Sequence, residues 1–162
     1  MKKIHDSEIL KKGQQVITAC AFIHHSFNGT EKLFLPKRAL TKKFLPGIYE
    51  LPGGHIDFGE EIEIGLKREI KEEFDMNIKI SDPFYVFTYI NEIKQSHSIE
   101  VIYLAKFTDS VNKIKINPED HSEYSWFSEN EIEKVINNSK KEDDPEIKAI
   151  KKGFLILNSL TN

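Results

Sequence analysis

The stretch that decides the fold runs Gly53-Gly54-His55-Ile56-Asp57-Phe58-Gly59-Glu60-Glu61-Ile62-Glu63-Ile64-Gly65-Leu66-Lys67-Arg68-Glu69-Ile70-Lys71-Glu72-Glu73-Phe74-Asp75-Met76. At about 100° per residue, Ile62, Leu66, Ile70 and Phe74 align as one apolar stripe about 120° wide, which predicts an amphipathic helix with that face against a core. On the same wheel Glu69, Glu72 and Glu73 fall within an arc of about 100° beside the stripe, so three carboxylates are expected to converge at the edge of the buried surface. A helix built only for solubility interleaves opposite charges. Here Glu69 faces Glu72 and Glu73, like-charge pairs that each destabilise by about 0.2–0.5 kcal/mol. Arg68 offsets part of this from four residues before Glu72, and a divalent ion held by oxygen ligands would offset more. Gly65 lies on the acidic side one turn before Glu69, although a mid-helix glycine costs about 1 kcal/mol relative to alanine. Its missing side chain lets a neighbouring loop or a ligand come close.

The segment before the helix supplies a complementary half. Gly53 and Gly54 present no Cβ, so backbone N–H groups there can approach an anion, and Gly59 lies near the positive end of the helix dipole. Coupled at fixed spacing to a carboxylate-rich helix, the pair reads as a place where phosphates are bridged to protein by metal ions. Hard oxygen ligands favour Mg²⁺, with Mn²⁺ possible.

Working outward, Val16 to Phe27 is apolar and β-branched with little alternation, which predicts a strand covered on both faces. Asn28-Gly29 predicts a hairpin into Lys32-Leu33-Phe34-Leu35, because both turn residues tolerate positive φ. A short strand is expected from Ile48 to Leu51, then a sharp turn at Pro52-Gly53-Gly54. Further strands are expected over Ile78 to Ile90, Ser98 to Phe107 and Tyr124 to Phe127. Ser128 with Glu131 forms a capping box for a short helix through Val135 and Ile136. The polar stretch from Asn137 to Glu146 reads as a loop between helices. Asp144-Pro145 starts a last helix whose Ile147, Ile150, Phe154 and Leu157 recur at three- and four-residue spacing. Strands interleaved with three helices predict an α/β fold, a sheet between helical layers.

The 162 residues, 39 % of them apolar, make one domain spanning 1–162. A charged fraction of 30 % with net charge −3 excludes a self-repelling disordered chain and bulk attraction to polymeric nucleic acid. No apolar run approaches the roughly 20 residues that cross a bilayer, and Met1 to Glu8 has no apolar core of a secretory signal, so a cytoplasmic protein with no membrane partner is expected. The single cysteine, Cys20, excludes an internal disulfide and a cysteine-built zinc site, and its apolar neighbours predict a buried thiol. The six histidines show no metal-ligand spacing.

The stretch from Gly54 to Met76 resembles the signature of the Nudix hydrolase family, in its MutT-like branch. That signature is a glycine, five residues, a glutamate, seven residues, then Arg-Glu-aliphatic-x-Glu-Glu-x-Gly-aliphatic. Gly54, Glu60, Arg68, Glu69, Ile70, Glu72, Glu73 and Met76 fill it; Asp75 stands where the family has a helix-ending glycine. Asp tolerates the left-handed conformation needed there better than most residues, so only slight strain is expected. Leu51-Pro52-Gly53-Gly54-His55 and Glu123-Tyr124-Ser125-Trp126-Phe127 resemble the MutT-like branch as well.

The resemblance implies an α/β/α sandwich with a mixed sheet, and hydrolysis of a nucleoside diphosphate linked to another moiety. A nucleoside triphosphate pyrophosphohydrolase releasing a nucleoside monophosphate and pyrophosphate is the leading expectation. An NDP-sugar or other NDP-X hydrolase, or a nucleotide-sensing module without turnover, is the alternative. It also implies metal ligation by Glu69, Glu72, Glu73 and Gly54, and orientation of the glutamates by Arg68. Substrate contacts are expected from Gly53, Gly54, Glu60, Arg38 and Asp144. Glu72 or Glu73 could accept the proton from the attacking water, as could Glu92, Glu100, Glu119 or Glu123 brought round by a loop. Phe27, Phe84, Phe87, Tyr89, Trp126 and Phe127 offer stacking faces that strands more often place in a core. Asp144 has a second reading as a helix N-cap. The expected partner is a nucleotide or nucleotide derivative, taken by a monomer or homodimer.

Overall fold

A computed structural model describes residues 9–136 and 140–162. Six strands, β1 (Gln15–Phe27), β2 (Thr30–Arg38), β3 (Gly53–His55), β4 (Ile78–Asn91), β5 (Ser96–Phe107) and β6 (His121–Phe127), form one mixed sheet. Its order is β4-β5-β1-β2-β6, with β3 pairing β1. β1 runs parallel to β5 and antiparallel to β2 and β3. The chain turns from β1 to β2 through Asn28 and Gly29, both at positive φ as the hairpin requires.

Side chains alternate across the sheet, which is why it needs a helical layer on each face. Ala19, Ala21, Ile23 and Phe34 point to one side, where Leu66, Ile70 and Phe74 of α1 (Ile62–Phe74) bury them. Cys20, Phe22, Leu33 and Leu35 point to the other, against α2 (Ile132–Ile136) and α3 (Pro145–Leu160). Ile147, Ile150, Phe154 and Leu157 are the buried stripe of α3, and Gly153 lies so close to the Phe22 ring that a Cβ would sit 2.5 Å from it. The sandwich is therefore the α/β/α arrangement expected. Among the described residues no helix is long and apolar enough to cross a membrane.

Two local expectations change. Ile48 to Leu51 makes only a single bridge, Tyr49 to Lys37, and the short strand falls instead on Gly53–His55, where a turn was expected. Pro52 has no N–H to continue a ladder, whereas Gly53 adopts φ 148° and lies where a Cβ would run into the Ala19 carbonyl. The Ser128–Glu131 capping box is present, but it opens a turn of 3₁₀ helix, Glu129–Glu131, before α2 begins. Of the polar stretch from Asn137, residues 137–139 lie outside the described residues.

Candidate active site

Loop 55–60, α1 and the sheet are tied together by Arg68. Its Nε donates to Glu60 Oε1 at 2.9 Å and its Nη2 to Glu60 Oε2 at 3.0 Å and to the His55 carbonyl at 2.9 Å. Its Nη1 donates to Glu69 Oε1 at 2.8 Å. The planar fork of the guanidinium suits this double duty. Glu60 thus has both oxygens on Arg68 and also accepts from the Asp57 N–H, so it positions Arg68 rather than facing substrate as expected. Gly65 shows why it is glycine: a Cβ there would lie 2.6 Å from Ile56 and 2.7 Å from Glu60. The loop packs directly on the helix.

Glu69, Glu72 and Glu73 all line one cavity of about 1000 Å³. They do not converge as the helical wheel implied. Arg68 draws Glu69 aside, Glu72 is half exposed with one oxygen 3.5 Å from Arg68, and Glu73 turns inward. Among the described residues no three acidic, histidine or cysteine side chains are gathered tightly enough to enclose an ion in this arrangement. Burial, and then the charges of Glu69, Asp120 and Glu50, push the Glu73 carboxyl well above the usual carboxylate range. Its Oε2 is fully shielded and has no hydrogen-bond partner. Burial likewise raises Glu69, against the pull of Arg68.

Backbone geometry refines the role of the two glycines. Ala21 N–H donates to the Pro52 carbonyl and Ile56 N–H to the Ile17 carbonyl, so alternate residues 52, 54 and 56 direct their polar groups at β1. Gly53 and His55 direct theirs away, consistent with the His55 carbonyl being taken by Arg68. Gly54 matters through its absent side chain, since a Cβ would sit 2.5 Å from Glu69 Oε2. The carboxylate of Glu69 occupies the space that glycine leaves.

Arg38, expected at the substrate, lines the cavity from the end of β2. Its Nη1 lies 3.2 Å from both oxygens of Glu50, and its Nε donates to the Phe44 carbonyl at 2.9 Å. Glu50 also meets His121 Nε2 at 3.1 Å. Burial opposes ionisation of Glu50, but Arg38 and His121 outweigh it and pull the carboxyl down to about 2. Opposite, Lys42 donates to Asp120 at 2.7 Å in a buried pair joining loop 39–52 to the segment before β6. Asp144 also lines the cavity, and its Oδ1 accepts from the Glu146 N–H at 2.8 Å as the N-cap of α3.

Of the proton acceptors considered outside the helix, Glu92, Glu100 and Glu119 line the cavity, while Glu123 is held on the surface by Lys37 and Tyr49. Phe87 and Tyr89 are the aromatic candidates on the cavity wall. Phe84 and Phe127 pack in the core, and Phe27 and Trp126 pack on each other. Sequence reasoning missed Glu50, Asp120, His121, Lys140 and Glu146. Each comes from an irregular segment or an element end, and no periodicity marks it.

Three comparisons bear on this arrangement. The NUDIX domain family matches residues 17–150. A protein from Escherichia coli described as nucleoside triphosphatase NudI is 33 % identical over 107 residues, covering 60 % of this chain and 74 % of its own length. Among solved structures, a MutT protein from Methanosarcina mazei superposes with TM-score 0.61 at 25 % identity, covering 79 % of this chain and 84 % of that one. An Ap4A hydrolase from C. elegans in a binary complex superposes with TM-score 0.71 at 20 % identity, covering 89 % and 98 %.

Proposed function

The chain belongs to the Nudix hydrolase family, and from that premise we propose that it hydrolyses nucleoside triphosphates to a nucleoside monophosphate and pyrophosphate with a divalent cation, Mg²⁺ or Mn²⁺. The observation that carries this reading is Glu73: a carboxylate with one shielded, unpartnered oxygen, lining the same cavity as Glu69 and Glu72. Such an atom is costly unless a cation meets it, and the all-oxygen donor set suits a hard divalent ion. Glu69, Glu72 and Glu73, with the outward-facing backbone of Gly53, would hold it. When bound, the ion supplies charge neutralisation on the phosphate chain and lowers the pKa of a coordinated water.

The chain's own residues do the rest. Arg68 keeps Glu69 turned toward Gly54, and Glu60 keeps Arg68 in place. Arg38, paired with Glu50, and Lys42, paired with Asp120, line the same cavity, where the phosphates would compete with those carboxylates for their donors. Water oxygen forms a new bond to phosphorus, the bridging P–O bond breaks, and pyrophosphate leaves with its electron pair. The water proton passes to the Glu72 carboxylate, which is the most solvated of the three and can return it to bulk water. The name of the E. coli relative supports a nucleoside triphosphate as substrate.

The test is a nucleotide panel with Mg²⁺ or with chelator, read as pyrophosphate and monophosphate formed. Pyrophosphate release from triphosphates that stops on chelation is expected. Turnover of NDP-sugars alone, or nucleotide binding without any turnover, would replace the reading.

A further inference from the structure

Beyond the acidic face of α1, the cavity is walled by aromatic and aliphatic side chains of loop 39–52 and β4: Phe44, Leu45, Ile48, Phe87 and Tyr89. Phe87 and Tyr89 stand two apart on β4 and so share one side of the strand, with ring centroids 6.2 Å apart. Phe44 continues the row from the loop: its ring lies nearly parallel to that of Tyr89, 12° apart, with centroids separated by 6.1 Å. Parallel rings packed face to face stand about 3.5–4.0 Å apart. At 6.1 Å the two planes either enclose a gap or are slid so far sideways that they barely overlap. In both arrangements ring surface is left over for a third partner. Burial agrees, since Phe44 and Tyr89 are half-buried whereas the core rings Phe22, Phe34 and Phe74 are wholly shielded. Phe44 is held in place by its main chain: its carbonyl accepts from Arg38 Nε at 2.9 Å, and Leu45 beside it adopts φ 47°, a left-handed conformation rare for leucine. Strained residues of this kind cluster at ligand clamps.

We infer that the parallel Phe44–Tyr89 pair seats the organic end of the substrate by stacking, and that Phe44 makes the site select planar aromatic bases over saturated rings. This rests on reading the same cavity as a nucleotide site. A flat heterocycle meets a ring face over its whole area, and such stacking tolerates any base because every base has a π-face. The pair therefore selects for planarity rather than for one base. A saturated ring puckers and loses that contact while keeping its carbonyl and N–H groups.

UTP and 5,6-dihydro-UTP test it, because they carry the same hydrogen-bonding groups on a flat and on a puckered ring. We would measure Kd by calorimetry with Ca²⁺ in place of Mg²⁺, for the native protein and for Phe44→Leu. The native protein should bind UTP about fivefold or more tightly than the dihydro form. In Phe44→Leu, which keeps an apolar side chain but no ring, the ratio should collapse to about twofold or less. A residue that only packs the loop would weaken both nucleotides alike and leave the ratio unchanged. Equal Kd values for the native protein, no binding of either nucleotide, or a ratio that survives Phe44→Leu overturns the assignment; the native ratio requires no variant to fold. If the ratio is found but no triphosphate is turned over with Mg²⁺, the hydrolase reading fails on its own and the stacking site stands.

Discussion

Helix α1 has two faces that solve opposite problems. Leu66, Ile70 and Phe74 are wholly shielded and pack on Ala19, Ala21, Ile23 and Phe34, so every atom there finds its neighbours within the chain. The other face carries Glu69, Glu72 and Glu73, and it is left unfinished: Arg68 settles one oxygen of Glu69, while Glu73 Oε2 is buried with no partner. The difference separates what a sequence does for folding from what it does for a ligand. A face completed internally is structural. One whose buried polar atoms lack partners is completed by something the chain does not supply.

The contrast is broken most severely by Glu73→Gln. Volume is kept and a charged oxygen is lost, so turnover should fall by about a thousandfold or more, read as pyrophosphate release. Thermal stability without added metal should not fall. Because the folded-state pKa of Glu73 is raised, its ionisation opposes the fold: stability is fully present below the ordinary carboxylate pKa and is lost as pH rises through the raised value. The Tm of the native protein in chelator should therefore fall over that window more than that of Glu73→Gln, and equal slopes would place Glu73 in contact with solvent.

Leu66→Ala probes the opposite face and should cost about 2–5 kcal/mol in denaturant unfolding. Lost activity with unchanged stability would mean the two faces have been exchanged. Arg68→Lys sharpens the comparison, since a lysine cannot serve Glu60, His55 and Glu69 together. Activity should drop about 10–100-fold with little change in Tm, the usual consequence of disturbing a group that orients metal ligands. The smallest effect belongs to Asp75→Gly. Asp75 ends α1 at φ 53°, as its position in the motif required, with its N–H on the Lys71 carbonyl. Glycine removes that backbone strain but also the ion pair with Lys71, so Tm should rise only slightly while kcat is unchanged.

What was legible in the sequence was whatever repeats locally. The α1 stripe, the Asn28-Gly29 hairpin, the Ser128–Glu131 box and the Asp144-Pro145 start of α3 each depend on residues a few positions apart, and each is present. The inner strand that flanks the site was misplaced, because Pro-Gly-Gly reads as a turn until β1 is there to pair with it. The cavity's far side was not legible at all. Glu50 gains its meaning from Arg38 and His121, Asp120 from Lys42, and Glu146 from Lys140 and Leu51, partners that only the folded chain brings together. The orientation of the three glutamates was likewise beyond a helical wheel, which places side chains on an arc but does not know that Arg68 will draw one of them away.

The most direct measurement is a calorimetric titration of the metal-free protein with Mn²⁺, run beside Glu73→Gln. The native protein should take up Mn²⁺ saturably and the variant should bind it at least about tenfold more weakly, both folded. Uptake that is absent, or that is unchanged when Glu73 loses its charge, would contradict metal binding at Glu73.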